Sequence, residues 1–557
     1  MRVKILLLFF VFSFLFRADH SFDQDLGRHI KLGEIIIETG QVPKTNLFSY
    51  TNPDFPFINT HWLFEVMAFL FQQAGFLQLL LIIKVIAMMV SVWLVLKIIP
   101  KEKQALLLPV GFIFLHVLRE RIELRPEIFS FLFTATTYYI LEKFTKNGNK
   151  GILFLPIIQL IWINTHIYFF VGLMLQAIFI LSSWGSSLLN PRGWLGRNLR
   201  IQLIIFAISV LISLLNPNGL AGLLYPLNVN QNYGYTIVEN QTMFFLENIN
   251  FRNPNFLFVK ISTGLIVLSV ITAFFRRNFQ LRNIFLAILG GVLALMYVRS
   301  FPYLVLLSLP ATMRNFGPIK SNSATKLLAI IFGGLLLFES YFYLNGDYYK
   351  YRGDQHKVGI GFEENVKGAM DFVLANDLPN SIYNNFDIGS YVLYRGFPEY
   401  KVFVDGRPEA YPAQFFTGVY IPSQSDYKNF KEVEKIYGLK TIIFSHTDQT
   451  PWGRNFLQNV IKDPEWRIVY IDDFTIVLVS LARPGLASVE AIDLAQLNPV
   501  SYKFDNHVDY LRLGIFLLSN GYADSGGQFI TKTLQIFPQS PIANLIMGNP
   551  TQSKFFW

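Results

Sequence analysis

The sequence contains no cysteine, which excludes disulfides, thiolate metal sites and cysteine nucleophiles within its 557 residues. Charged residues are also scarce. They make up 15% of the chain, whereas a soluble globular domain usually has about 25%. Hydrophobic residues make up 52%, and phenylalanine alone occurs 55 times. This composition indicates a protein that lies largely in a membrane.

The net charge does not indicate nucleic-acid binding. The formal charge is +9, but the basic residues lie in short connections between apolar runs, where membrane proteins place them. We therefore expect membrane lipid, and no nucleic acid, around this chain.

Eleven apolar runs predict about eleven membrane spans, although several are shorter than the roughly 20 residues of a full crossing. The first run follows Arg2 and Lys4 and ends without a small-x-small cleavage signal, so we expect an uncleaved helix rather than a signal peptide. The runs cover 5–16, 76–98, 105–118, 128–141, 152–163, 168–181, 201–215, 256–275, 284–298, 301–313 and 326–343.

The charge of the connections predicts the orientation. If the N-terminus is cytoplasmic and each run crosses once, the even-numbered connections between runs face the cytoplasm. Every one of them is basic, as the positive-inside rule requires. These connections are 101–103, 143–150, 192–200, 276–282 and 314–320. The last span then leads outward. We predict a multi-pass protein of the cell (inner) membrane, with everything after about Asn345 outside the cytoplasm.

Several basic residues break this rule, because they lie at the outer ends of spans or inside them. They are Lys84, Arg119, Arg121, Arg125 and Arg299. Ionisable residues at membrane depth indicate function, and arginine grips phosphate with two parallel hydrogen bonds. The alternative is pairing with the glutamates of the same connection, for stability alone.

The first outer loop contains an amphipathic helical pattern over 23–37. Asp23 and Asp25 stand at its start, where aspartate also caps helices. Residues two apart point in different directions on a helix, whereas Asp25 and His29 share a face. We predict Asp25 as a catalytic base oriented by His29, and Asp23 as the cap. A divalent metal at Asp25 and His29 is a weaker alternative with two ligands.

Other polar residues at outer turns are further candidates for substrate binding. They are His61 and Glu65 before the second span, and Asn164 and His166 between spans five and six. A simple turn role is the alternative for Asn164. Together these groups suit a reaction at the outer leaflet, in which a carboxylate deprotonates an acceptor hydroxyl and arginines hold a leaving phosphate.

This arrangement resembles the GT-C superfamily of membrane glycosyltransferases, which includes bacterial protein mannosyltransferases and lipid A aminoarabinose transferases. The likeness covers roughly 1–345 and rests on the first span, the Asp23-Gln24-Asp25 motif with its helix, and the many later spans. The second half of the family's acidic pattern, an Asp-Glu pair, is absent. The resemblance implies a polyprenyl-phosphate-linked sugar as donor, Asp25 or Asp23 as base, and phosphate binding by Lys84, Arg119, Arg121 and Arg125.

The C-terminal part has the composition of a soluble α/β domain. A helix is expected over 365–376 and strands over 381–384, 401–405, 441–445, 467–471 and 475–480. Asp405-Gly406 follows the second strand; we interpret it as a turn rather than a ligand site. The expected domains are a membrane domain (1–345), an α/β domain (346–485) and a helical segment (486–557).

Residues 509–539 match one tetratricopeptide repeat, with Gly514, Leu517, Gly521, Leu534 and Pro538 at the expected offsets. One repeat cannot bury its own apolar face. It must pack on the α/β domain or on a protein partner.

The predicted fold class is therefore a mainly α membrane protein with an extracytoplasmic α/β domain and a short helical repeat. The leading function is an inverting glycosyltransferase. The alternatives are a non-catalytic protein that presents an interaction domain and a transporter of lipid-linked material. Transporters often have related halves, which the sequence lacks.

Overall fold

The computed structural model describes residues 2–15, 25–187, 194–228, 233–251, 253–277, 280–316, 322–353, 365–481 and 489–548. Its N-terminal part is helical: α1 Arg2–Leu15, α2 Leu26–Thr39, α3 Trp62–Gln73, α4 Leu79–Ile98, α5 Gln104–His116, α6 Glu127–Asn147, α7 Leu155–Thr165, α8 Phe170–Ser187, α9 Trp194–Ile212, α10 Gly219–Leu224, α11 Met243–Asn248, α12 Asn255–Phe275, α13 Leu281–Met296, α14 Phe301–Tyr303, α15 Leu309–Asn315, α16 Ser323–Asn345 and α17 Asp347–Arg352.

Four strands and nine further helices follow in the described C-terminal part. They are α18 Lys367–Ala375, β1 Ile382–Asn384, α19 Gly389–Gly396, α20 Ala413–Phe415, α21 Ile421–Ser425, α22 Tyr427–Tyr437, β2 Thr441–Ser445, α23 Pro451–Val460, β3 Trp466–Ile471, β4 Thr475–Ser480, α24 His507–Ser519, α25 Ala523–Ile536 and α26 Pro541–Ile546.

Among the described residues, four helices are long and apolar enough to cross a membrane: Leu79–Ile98, Ile167–Trp184, Asn255–Phe275 and Ser323–Asn345. Three shorter apolar helices accompany them, at Lys150–Thr165, Asn198–Ile212 and Leu281–Met296. The mainly helical membrane fold is confirmed, whereas the total of about eleven spans stays a prediction. The first apolar run forms α1, which packs against α4, α5 and α16.

The helix predicted in the first outer loop is confirmed as α2, while Asp23 lies outside the described residues. Helix α2 packs against α3 so closely that a Cβ on Gly33 would lie 2.0 Å from the carbonyl oxygen of Glu65. Only glycine permits this approach of two helices. The contact sets Glu65 beside His29, one turn before Gly33.

The α/β region, residues 365–481, contains one sheet in the order β1-β2-β4-β3. Strands β1 and β2 are parallel, and β4 runs antiparallel to both β2 and β3. Four of the five predicted strands are therefore confirmed. All five residues of β2 and all six of β4 are buried, which explains their continuous apolar character.

The strand predicted over 401–405 is wrong. This segment makes a single parallel bridge, between Val402 and Ser49 of the first outer loop. The side chain of Asn384 accepts a hydrogen bond from the backbone N–H of Phe403 at 2.9 Å, where a strand partner would otherwise bond. The segment therefore joins the α/β region to the loop instead of extending the sheet.

Helices α24 and α25 form a hairpin with glycines at its contacts. A Cβ on Gly514 would lie 2.9 Å from Ile530, and one on Gly526 would lie 2.7 Å from Leu518. Phe516 and other apolar residues of the hairpin join the core of the α/β region. The hairpin thus packs on that region, which is one of the arrangements expected for the predicted repeat.

Candidate active site

A polar cavity of about 130 Å³ lies where loops of the helical part meet the α/β region. Six of the residues singled out from the sequence line it together: Asp25, His29, His61, Arg125, His166 and Arg299. They come from five separate segments of the chain. The fold therefore brings the predicted polar groups to one place.

Asp25 occupies the residue before α2, but its side chain makes no capping hydrogen bond to that helix. Its carboxylate lies 2.9 Å from Arg28 Nη2 and 3.7 Å from Arg125 Nη1. Burial raises the pKa of Asp25, but the two guanidinium groups outweigh this effect and hold the pKa below its usual value. Asp25 is an ionised carboxylate facing the cavity.

His29 differs from the expectation in its partner. Its Nδ1 lies 3.2 Å from Glu65 Oε1, so Glu65 rather than Asp25 orients the ring. Glu65 has no exposed surface and accepts a hydrogen bond from Asn59 at 2.5 Å. Burial raises the pKa of Glu65 to about 7. Glu65 thus lies behind His29 and does not line the cavity itself.

Three histidines form a row along the cavity. The ring centroids of His29 and His61 are 5.6 Å apart, and those of His61 and His166 are 5.3 Å apart. Burial, with nearby arginines, lowers the pKa of each ring below its usual value. The row therefore consists of neutral imidazoles, each with one ring nitrogen that can accept a hydrogen bond.

The arginines of the cavity converge on Glu239. Arg121 Nη1 lies 2.6 Å from its carboxylate, Arg299 Nη2 lies 3.4 Å from it, and Arg125 also pairs with it. Burial raises the pKa of Glu239, but these arginines outweigh it and hold the pKa well below its usual range. Glu239 thus holds the three arginines together, and one of them, Arg125, also lies 3.7 Å from Asp25.

Three arginines in or near the cavity have an N–H group without a hydrogen-bond partner in the described part of the chain. Arg28 Nε, Arg121 Nη2 and Arg299 Nε are buried and have no hydrogen-bond acceptor among the described residues. A buried N–H without an acceptor costs about 1–3 kcal/mol. Arg28 and Arg299 line the cavity together with Arg125, whereas Arg121 does not, so three arginines of the lining favour an anionic ligand.

Besides Glu65, four predicted substrate-binding residues do not line this cavity: Lys84, Arg119, Arg121 and Asn164. Lys84 donates a hydrogen bond to the carbonyl oxygen of Ile122 at 2.5 Å and so stabilises the connection that contains Arg121 and Arg125. Arg119 points to a separate aromatic pocket, where it bonds Tyr343. Asn164 accepts from Trp62 Nε1 at 2.7 Å, a structural contact between two helices.

The α/β region supplies a wall that the sequence interpretation missed. Gly406 lines the cavity, and a Cβ there would lie 3.0 Å from Asp25 Oδ1. The chain bends at Gly406, as expected for the predicted Asp405-Gly406 turn, and the same bend lies against the predicted base, Asp25. Glu409 and Pro408 follow it along the same wall.

A metal site does not form from the described residues. They contain no group of three or more histidine, aspartate or glutamate side chains placed to hold a metal ion. The predicted ligands Asp25 and His29 are instead engaged by arginines and by Glu65. The residues described here do not fit the divalent metal considered from the sequence.

No protein-family model and no curated protein match this sequence. Solved structures of the oligosaccharyltransferase of the archaeon Archaeoglobus fulgidus do match the fold. The complex of AglB with an inhibitory peptide and a dolichol-phosphate has a TM-score of 0.58 at 10% identity, over 99% of this chain and 86% of that chain. The form tethered to an acceptor peptide with the NVT sequon has a TM-score of 0.54 at 11% identity over the same shares. The apo form has a TM-score of 0.53 at 11% identity, over 80% of this chain and 69% of that chain.

At these identities the likeness shows the fold. The chain shares the fold of these oligosaccharyltransferase structures, which belong to the GT-C class that the sequence resemblance predicted.

Proposed function

We propose that this protein is a membrane glycosyltransferase that moves a sugar from a polyprenyl-phosphate donor to an acceptor at the outer face of the membrane. The observation that carries the proposal is the presence, in one cavity, of an ionised Asp25 together with the arginines Arg28, Arg125 and Arg299. The solved AglB complex, which shares the fold, contains a dolichol-phosphate. A lipid-linked phosphate is the anion that this cavity is best suited to hold.

The reaction follows from the positions of these groups. Asp25 takes the proton of the acceptor hydroxyl, and the resulting oxygen bonds to the anomeric carbon of the sugar. The bond from that carbon to the phosphate oxygen breaks, and the electron pair leaves with the polyprenyl phosphate. Arg28, Arg125 and Arg299, which line the cavity, stabilise the phosphate as its negative charge increases. One displacement of this kind inverts the anomeric centre.

Thin-layer analysis of membranes given a labelled polyprenyl-phosphate sugar tests the proposal. Membranes that contain the protein should release the label from the lipid into a more polar product. Matched membranes without the protein should not. Identical chromatograms would favour the alternative of a non-catalytic membrane protein.

The proposed orientation places the connections with Lys101, Lys146, Arg197, Arg277 and Lys320 in the cytoplasm, and the α/β region with Asp405 outside; Lys320 lies outside the described residues. Because the chain has no cysteine, the labelling of a single introduced cysteine shows on which side of the membrane that position lies. Lys146→Cys should be protected from a membrane-impermeant thiol reagent in intact cells, while Glu399→Cys should be labelled. Both positions are exposed on the protein surface. Labelling of Lys146→Cys, or of a cysteine near Arg197, would reverse the orientation.

Arg125→Lys should weaken donor binding by about tenfold, because lysine keeps the charge but loses the planar fork that grips phosphate. Binding of the labelled donor to protein in nanodiscs measures the change. Arg119→Lys is the matched control, since Arg119 lies in the same connection but outside the cavity. If Arg125→Lys is less folded but binds donor normally per folded molecule, the connection contributes only stability.

A further inference from the structure

Among the described residues, three carboxylates line the cavity around Asp25, and one of them has no partner. Asp25 and Glu127 are both paired with arginines. The side chain of Glu409, in contrast, forms no ion pair and no hydrogen bond with another described side chain. Burial raises the pKa of Glu409, and its oxygens accept hydrogen bonds in either protonation state. Glu409 is therefore an acceptor that the proposed reaction does not yet use.

The backbone on both sides of Glu409 is fixed, because Glu409 lies in one turn of 3₁₀-helix between anchored neighbours. Arg407 is buried and bonded to Asp405 at 2.7 Å. The carbonyl oxygen of Ala410 accepts a hydrogen bond from Asn46 Nδ2 at 3.1 Å. The Glu409 side chain is itself partly exposed and lines the cavity. A rigid segment thus presents an accessible carboxyl group, as a preorganised binding site requires.

Two tyrosines of the cavity lie near this carboxyl group. Tyr225 and Tyr233 both line the cavity. Burial, followed by the charge of Glu409, raises the pKa of both phenols, which shows that Glu409 is close to them. A tyrosine ring offers an apolar face and a polar tip. This wall therefore suits a group that has hydroxyl donors together with C–H surface.

The charges of the cavity distinguish the two parts of a lipid-linked sugar. Arg125 and Arg299 come from the helical part, whereas Glu409 comes from the α/β region. A phosphate diester brings negative charge and acceptor oxygens but no donor, so it lies beside the arginines. The cavity has a volume of only about 130 Å³, so a group joined to that phosphate meets the wall that contains Glu409. In the proposed reaction this group is the sugar.

We propose that Glu409 binds the sugar of the donor, by accepting hydrogen bonds from its hydroxyl groups, and so selects which donor is used. This assignment rests on the proposed function, because that function identifies the group joined to the phosphate.

Binding of lipid phosphates to the full-length protein in nanodiscs, without acceptor, tests the proposal. The probes are polyprenyl phosphates of one chain length that carry mannose, glucose or glucosamine, and a polyprenyl methyl phosphate of the same charge. The mannose or the glucose donor should bind about tenfold more tightly than the methyl phosphate. Glu409→Gln should remove this advantage and leave binding of the methyl phosphate unchanged, since hydrogen bonds to a charged group contribute about 1.5–3 kcal/mol.

Glu399→Gln is the matched control and should keep the advantage. Glu399 also lies in the α/β region, but it is exposed and does not line the cavity. If Glu409→Gln does not fold, Glu409→Asp decides by the same comparison, because it keeps the charge and withdraws the oxygens by one methylene group.

Equal binding of all four lipids by the wild-type protein, or an advantage that persists in folded Glu409→Gln, would overturn the proposal. Equal losses for sugar donor and methyl phosphate would also overturn it, because Glu409 would then only maintain the cavity. An advantage of the glucosamine donor alone would overturn it in favour of an ammonium site. An advantage that depends on Glu409, without sugar transfer by the wild-type protein, supports this site and counts against the proposed function. Transfer without any such advantage overturns this site alone.

Discussion

Replacing Asp25 with asparagine is expected to lower sugar transfer by about a thousandfold, because general-base catalysis contributes about 10²–10⁴. The change is nearly isosteric and removes the group that takes the hydroxyl proton. Donor binding should be no weaker, since Arg125 keeps its contact with Glu239. Transfer per mole of folded protein and donor binding are measured separately in nanodiscs.

Glu34→Gln is the matched control for this experiment. Glu34 lies on the same helix and pairs with Lys31, but it does not line the cavity. It should retain full transfer. Full activity of Asp25→Asn with loss in His29→Gln would make His29 the base, oriented by Glu65. A loss only in Asp23→Asn would exchange the roles of the two aspartates.

Replacing Arg407 with methionine is expected to lower the free energy of unfolding by about 3–5 kcal/mol, the cost of breaking a buried ion pair. Arg407 is 1% exposed and Asp405 has no exposed surface. Arg407 makes two bonds of 2.7 Å to Asp405 and one of 2.9 Å to Asn46 of the first outer loop. The variant leaves the Asp405 carboxylate buried without its cation.

The double variant Asp405→Asn/Arg407→Met separates the charge from the packing. It removes the carboxylate together with the cation, so it should recover much of the lost stability. Chemical unfolding in detergent measures all three proteins. If the double variant is as unstable as Arg407→Met, the main loss is packing against Phe48 and Phe57, whose ring centroids lie about 5 Å from the guanidinium.

The local elements followed from the sequence because their causes are local. The amphipathic period predicted α2, and the alternation of apolar runs with turn residues predicted β1 to β4. The segment over 401–405 has an equally apolar pattern. It does not form a strand because the backbone N–H of Phe403 donates to the side chain of Asn384, which lies outside the segment, instead of to a neighbouring strand. No pattern within the segment itself reports that contact.

The candidate site was partly predictable for the same reason. Arg125 stood out because ionisable residues at membrane depth are costly, and Asp25 and His29 stood out because they share one face of a helical pattern. Glu239 did not, since its role depends on three arginines that come from two other segments. Gly406 was interpreted only as a turn because its proximity to Asp25 depends on how the α/β region packs on α2. Arg119 resembled its neighbours in sequence but points to another pocket.

Single-turnover transfer from a labelled polyprenyl-phosphate sugar, by purified protein in nanodiscs, tests the central claim most directly. The wild-type protein is predicted to release polyprenyl phosphate and to move the label to an acceptor with inverted anomeric configuration, while Asp25→Asn binds the same donor without releasing it. Donor that stays intact on folded wild-type protein, or equal release by both proteins, would contradict the account.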